Sequence, residues 1–432
     1  MPANPPHIHW VSPLPPAETD IAHYTYRILP ELTSRSNITL WTDAPSWNRG
    51  LAEYCRVQSL DPSKIKSGEM RGSGETTAAG DVIFVNMGNS SIFHAGFLQL
   101  VRRIPTVVIL HDLALQEMYF QTVSRGMMDL DEYLDEIEQW YGKAGRQQAR
   151  LCWEGRLSVY DFSSTRPGFE ILMNNAVAIV THTSAAHSAV TKRGFVPAYQ
   201  LELPYKARST YSSERLTSGP LRLMQFGYIG PNRRLENILE ALANLDSNVD
   251  FVFDICGKLW DPERIKLLCS RLGLDDKVKF NGFVSEATLD DMLDKAHLVF
   301  NLRNPTMGEA SGSQLRIWNA GAASVVTDDG WYHEVADEAV FRIPKENEVS
   351  SIKALLQQIS KDRHVAMFKG ECGRHQLINK HDPRSYADCI VQVAQNFTRD
   401  AHDAVLANAA RRLIGEDRLQ ADLLRASLSS LF

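Results

Sequence analysis

Apolar positions along the chain gather in short, dense runs. IHWVSPL (8–14), ITLWT (38–42), DVIFVNM (81–87), TVVILHD (106–112) and AVAIVTH (176–182) are nearly continuous in hydrophobic residues and are bounded by turn residues. Strands buried on both faces have this pattern, so the runs predict a parallel sheet covered by helices. Segments such as HYTYRILPELTSR supply the helices. The stretch 126–160, which contains DLDEYLDEIEQWY, is helical in pattern but polar. It predicts an insertion between two strands that is mobile or faces substrate.

Residues 206–220, KARSTYSSERLTSGP, have no hydrophobic period and are rich in Ser, Thr and Arg, as an interdomain linker is. A second set of runs follows: LRLMQFGYI, VDFVFDICG, KVKFNGFV, AHLVFNLR and ASVVTDD, with helical segments between them. Such alternation builds a second doubly wound sheet. The end of the chain, from about 396 to 432, is strongly helical in propensity. The pattern therefore predicts an α/β protein with two Rossmann-like domains, residues 1–205 and 221–395, and a cleft between them. The helix 396–432 is expected to pack back on the first domain.

Length agrees with this division, because 432 residues exceed one ordinary core. With 44% hydrophobic and 23% charged residues the composition is that of a soluble globular protein. The net charge of −6 excludes a general attraction to nucleic acid or anionic membrane, so any anion needs a local site. Six cysteines are scattered without a CxxC pair, which fits a reducing compartment and argues against a disulfide framework. The start, MPANPPHIHW, lacks the basic-then-apolar order of a signal peptide, and no apolar run reaches the ~20 residues that span a bilayer. Cytoplasmic residence is expected, with peripheral contact at the inner membrane face left open.

Candidate chemistry begins in FGYIGPNRRLENILEAL (226–242), where Arg233 and Arg234 stand at the front of an amphipathic helix. Cations are disfavoured at that end of the peptide dipoles by roughly 0.3–1 kcal/mol each. Gly227 and Gly230 let the backbone come close to a ligand, Asn232 is a candidate N-cap, and an anion would meet amides, dipole and arginines together. The arginines either serve such an anion, ideally a diphosphate, or point to solvent or pair with Glu236 and Glu240. A second loop, NPTMGEASGSQLRIW (304–318), leads into a helix from about Ser313, where free amides and the Ser311 and Ser313 hydroxyls form another anion cradle. Glu309 beside it suits a neutral polyol attached to a phosphate, or is an exposed loop acid. His111 lies at the end of a buried strand, where ligands of open α/β sheets bind. His94 and His182 read as structural. HIH (7–9) puts two histidines on one strand face, but no third ligand is evident and no metal is expected.

These segments resemble the retaining GT-B glycosyltransferases of the GT4 type over residues 7–345. Gly227 and Arg233 match the family's turn for the donor pyrophosphate, and Tyr228 stands where an arginine often follows the first glycine. KVKFNGFVSEATLDDML resembles the segment that holds the base, around Gly282, Phe283 and Val284. AHLVFNLRNPTMGEASG is similar to the strand and acidic glycine-rich loop in which Glu309 begins the E-x7-E motif and binds sugar hydroxyls. Arg316 or Ile317 stands at the second glutamate, which usually holds the ribose, and with Tyr228 at the arginine position part of the phosphate contact is expected from Arg234 or Arg316. WVSPLPPAETDIAHY is similar to the family's opening, with Asp20 in place of glycine; NMGNSSIFH and VVILHDLAL add Asn89, His94, His111 and Asp112.

The resemblance implies a GT-B fold and sugar transfer from a nucleotide-diphosphate-sugar to a glycan or lipid-linked hydroxyl, with retention and without metal or cofactor. It assigns Arg233, Glu309 and His111 to catalysis. Gly227, Tyr228, Gly230, Arg234, Gly282 to Val284, Ala310, Ser311, Gly312, Ser313 and Arg316 are assigned to the donor. Asp20, Asn89, His94 and Asp112 go to the acceptor. An epimerase of the same shape and a non-catalytic sugar-nucleotide-binding protein are the rival readings. A nicotinamide enzyme is disfavoured, because HWVSPLPPAETD replaces a GxGxxG after the first strand.

Overall fold

A computed structural model describes residues 6–65, 81–209, 215 and 218–414. It divides into two compact units: unit 1 is Met1–Pro204, Met307–Ala310 and Pro383–Phe432, and unit 2 is Tyr205–Thr306 and Ser311–Asp382. Parts of the expected linker and of the 396–432 helix lie outside the described residues.

Unit 1 holds seven parallel strands: β1 (His7–Val11), β2 (Asn37–Thr42), β3 (Arg56–Ser59), β4 (Val82–Met87), β5 (Thr106–Leu110), β6 (Ala176–Thr181) and β7 (Ala198–Gln200). Their order is β3-β2-β1-β4-β5-β6-β7, so the winding reverses between β1 and β4. Every residue of β4, β5 and β6 is buried, as their continuous apolar runs require. β3 and β7 were not among the expected strands. Both lie at sheet edges, are short and partly exposed, and so leave no apolar run to read.

The polar segment 126–160 forms a helical stretch, Leu130–Trp153, broken at Gly142, whose φ of 68° suits glycine. Its buried face, with Tyr133, Leu134, Ile137 and Trp140, joins the unit 1 core. The returning helix begins at Pro383, earlier than the expected 396, and runs to Ile414. Proline in the first turn needs no N–H partner, so it starts this helix without cost. Near that start Tyr386 is buried and exchanges a 2.6 Å hydrogen bond with Tyr24.

Unit 2 contains β8 (Leu221–Ile229), β9 (Phe251–Leu259), β10 (Val278–Gly282), β11 (Leu298–Phe300), β12 (Ala323–Thr327) and β13 (Phe341–Ile343), all parallel. The order β10-β9-β8-β11-β12-β13 reverses between β8 and β11. Leu223, Phe253, Phe300 and Val325 fill the core with Ile238, Leu239, Ile352 and Leu356 from covering helices. Of the linker, Arg215 is buried, and its guanidinium donates to the carbonyls of Ala296 (2.6 Å) and Ala320 (2.7 Å).

Candidate functional site

In an open α/β sheet the crevice for ligands opens at the carboxyl ends of the strands, where the winding reverses. In unit 2 the loops at that point follow β8 and β11, and they are the two segments with candidate chemistry. The Asn304 N–H donates to the Asn232 carbonyl at 2.9 Å and ties the loops together.

After β8, Pro231–Arg233 forms a 3-10 turn, and the helix Leu235–Ala243 starts only behind Arg234. Asn232 therefore sits inside the turn and is not the expected N-cap; Pro231 sets the turn one step earlier. Arg234 occupies the cap position in the left-handed region, φ 58°. Gly227 has φ 100° and pairs with Gly257, where a Cβ would come within 2.0 Å of the Gly227 carbonyl oxygen. Only glycine fits that close approach. Gly257 was missed in the sequence, although a glycine inside a strand run is a signal for it.

The arginines divide. Arg234 Nε donates to Glu348 Oε2 at 2.8 Å, and Asn237 Nδ2 donates to the same oxygen at 2.5 Å. Glu348 is buried, so Arg234 balances an internal carboxylate; its expected alternative partner Glu236 pairs with Arg264 at 3.3 Å. Arg233 is also buried, and its guanidinium donates to the Phe226 carbonyl at 3.3 Å, while Gln225 Nε2 donates to the Arg233 carbonyl at 2.8 Å. Arg316 is held by Asp290 (2.9 Å) and Glu286 (2.8 Å). The charges of Arg234 and Arg316 are thus already matched by acids of this unit.

After β11, Ser311 caps the helix Gly312–Asn319, its hydroxyl accepting from the Gln314 N–H. Asn301 Nδ2 lies 3.1 Å from the Ser311 hydroxyl, 3.0 Å from Gln314 Oε1 and 2.8 Å from the Tyr332 hydroxyl. This buried polar group holds the start of the helix, with the Gly312 and Ser313 amides in its first turn. Tyr228 and Phe283 are exposed side chains, 66% and 72%, and Gly282 closes β10 with Val284 just beyond.

Met307–Ala310 belong to unit 1. The Met307 carbonyl accepts from the Leu113 and Ala114 N–H groups, each at 3.0 Å. Glu309 is buried, not an exposed loop acid, and one of its oxygens accepts from the Met307 N–H at 2.7 Å.

At the carboxyl edge of the unit 1 sheet, Asn86 Nδ2 donates to the Val11 carbonyl at 3.0 Å, which turns its Oδ1 to His111 Nε2 at 2.9 Å. That oxygen only accepts, so Nε2 carries the proton and Nδ1 keeps its lone pair. Burial, then His182 and His94, push the His111 pKa well below its ordinary value, and the ring is neutral. Tyr24 meets it edge-on at 4.9 Å and His182 lies 5.0 Å away, centroid to centroid. Asn86, a polar residue inside an apolar run, was the readable signal for this arrangement; Tyr24 and Tyr386 gave none.

Asp112 Oδ2 accepts from the Asn89 N–H at 2.8 Å, and Asn89 Oδ1 from the Met118 N–H at 3.0 Å. His94 is buried, its Nδ1–H donating to the Asn86 carbonyl at 3.1 Å, and burial lowers its pKa to about 4. Asp20 is exposed in the first turn of the helix Asp20–Thr33.

The third partner for HIH is Asp81, 3.4 Å from His7 Nδ1 and 3.0 Å from His9 Nε2. The group lies at the amino-terminal ends of β1 and β4, the edge opposite His111. Trp41 Nε1–H donates to His9 Nδ1 at 3.0 Å, so His9 holds its proton on Nε2 and gives it to Asp81. In this form His9 offers Asp81 a proton and offers a cation no lone pair.

Residues 212–375 match the family described as Glycosyl transferases group 1. Among solved structures, Alr3699/HepE from Anabaena in complex with UDP and glucose is 13% identical, covers 90% of this chain and 100% of its own, and superposes with a TM-score of 0.59. Sucrose-phosphate synthase from Thermosynechococcus elongatus is 13% identical, with 91% and 99% covered and a TM-score of 0.59. WaaG, a glycosyltransferase involved in lipopolysaccharide biosynthesis, is 16% identical, with 89% and 99% covered and a TM-score of 0.55. Among curated proteins no sequence match is found. The family match supports sugar transfer. The chain has the α/β fold of the GT-B glycosyltransferases, with two Rossmann-like units, and its residues 212–375 are similar to the group 1 glycosyl transferases.

Proposed function

We propose that this protein is a retaining hexosyltransferase of the GT4 type. It moves a sugar from a nucleotide-diphosphate donor to a hydroxyl of a glycan or lipid-linked acceptor, in bacterial polysaccharide or glycoconjugate synthesis at the cytoplasmic face of the membrane. One observation carries the reading: the group 1 match falls on the unit whose two switch-point loops hold Arg233 and the Ser311-capped helix.

Departure of a diphosphate from an oxocarbenium-like sugar concentrates negative charge on the leaving group. Fixed donors aimed at that charge stabilise the transition state. Arg233 and the Gly312 and Ser313 amides take this role, with Gly227 and Gly230 leaving room for the phosphates. Arg234 and Arg316 act at one remove, by holding the loops through their acids. Tyr228, Gly282, Phe283 and Val284 border the nucleoside, and Glu309 with Ala310 receives sugar hydroxyls. His111, neutral and with Nδ1 as acceptor, takes a hydrogen bond from a hydroxyl near the reacting carbon. The reading asks for no metal or organic cofactor.

The test is thermal stabilisation by UDP-, GDP-, dTDP- and ADP-sugars, then product analysis with and without EDTA. UDP-glucose comes first, because Alr3699/HepE has been crystallised with it. A ligand at 100 times its Kd stabilises by about 2.7 kcal/mol. We expect one nucleotide class to raise the melting temperature and transfer to survive EDTA. A panel without any stabilising member overturns the function, and abolition by EDTA overturns the metal-free reading.

A further inference from the structure

The helix Gln116–Ser124 begins just beyond His111 and forms one wall of a pocket of about 380 Å³ in unit 1. Glu117, Phe120, Gln121, Ser124, Trp153 and Val159 line it. Its volume lies within the ~300–1,000 Å³ of small-molecule sites. Trp153 is 39% exposed, yet its ring stacks on Phe120 with centroids 6.3 Å apart and planes 16° apart. The stack holds a large aromatic surface still beside the pocket, where solvent alone would not favour it.

The polar wall is ordered as a chain. The Ser91 hydroxyl donates to Gln121 Oε1 at 2.9 Å, and Gln121 Nε2 donates to Glu117 Oε1 at 3.1 Å. The chain ends on a carboxyl group with acceptor capacity to spare. Glu117 makes no ion pair among the described residues, and burial pushes its pKa up. An unbalanced carboxylate repels phosphates and other anions. A quaternary ammonium ion would ask for several aromatic walls enclosing it, and here Phe120 and Trp153 are stacked on each other as one. A neutral ring with C–H groups on its face and hydroxyls on its edge fits both walls.

We propose that this pocket binds a neutral sugar ring of the acceptor, stacked on Trp153, with a ring hydroxyl donating to Glu117. The inference rests on the glycosyl-transfer reading, and it makes the acceptor a glycan whose recognised unit carries no charge. The polar insertion then has a function: its Trp153 end completes a wall that the sheet does not supply.

The test is saturation-transfer NMR and calorimetry on the full chain. The probes are methyl glycosides of glucose, galactose, mannose, rhamnose and N-acetylglucosamine, with choline as the cationic control. At least one glycoside should bind, and Trp153→Ala and Glu117→Ala should each weaken it at least tenfold. Trp153→Phe should bind within about threefold of the original, which separates a lost platform from a lost fold. Absence of glycoside binding, equal binding by the alanine variants, or preference for choline overturns the proposal. Nucleotide-sugar stabilisation of the same sample is read separately. Donor binding without glycoside binding sinks this inference alone, whereas absent donor binding sinks the functional reading.

Discussion

Adjacent arginines in one turn face different chemical situations. Glu348 is buried and takes its hydrogen bonds from Arg234 and Asn237, so Arg234 neutralises a charge the unit cannot leave alone. Removing one partner of a fully buried pair costs about 3–5 kcal/mol, and because Arg234 is partly solvent-exposed we expect roughly 2–3 for Arg234→Ala. Urea unfolding of that variant measures it; a loss below about 0.5 kcal/mol, the range of an ordinary surface change, contradicts the assignment. The sequence showed both arginines at a helix start, either serving an anion or pointing to solvent or pairing with nearby acids. That the partner of Arg234 is Glu348, more than a hundred positions away, was not legible, because a sequence does not show which loops meet. The same limit hid Asp81 from the HIH pair.

At the scale of elements, the strands that carry the site were legible and the edges were not. Runs buried on both faces announce themselves, whereas β3, β7 and β13 each have three or four residues at a sheet edge. The two candidate loops do follow β8 and β11, since a strand end followed by glycine or serine and a helix start is a local pattern, although β11 ends at Phe300 and not near Arg303. Which residue caps which helix depended on one step of backbone geometry and was missed at Asn232.

The helix Ser91–Val101 makes a testable case, because His94 ties it to the Asn86 carbonyl from a fully covered position. Its pKa is lowered to about 4 in the folded protein and is about 6.5 unfolded, so the unfolded chain takes up the proton first. The stability is whole above pH 6.5 and declines as the pH falls toward 4, by roughly 3 kcal/mol from this group. Urea midpoints measured across that window should fall, and His94→Gln should flatten the decline. An equal decline in the variant contradicts the assignment.

For the whole molecule, the proposed activity combines two units with different duties. Unit 1 offers a neutral histidine, the Glu309 turn and the Trp153 pocket, all suited to hydroxyl-bearing groups. Unit 2 offers a glycine-opened turn, Arg233 and a capped helix start, suited to a diphosphate. The chain as a whole is acidic, so the diphosphate has to be won by local geometry and not by net charge.

The most direct measurement of that claim is calorimetric binding of UDP and of uridine to the wild-type protein and to Arg233→Ala, repeated for whichever base the nucleotide panel selects. Arg233→Ala should lose diphosphate affinity by at least the ~1.5–3 kcal/mol of a charged hydrogen bond, roughly tenfold or more, while nucleoside affinity stays within about twofold. Equal losses for nucleotide and nucleoside, or none for either, would contradict the claim.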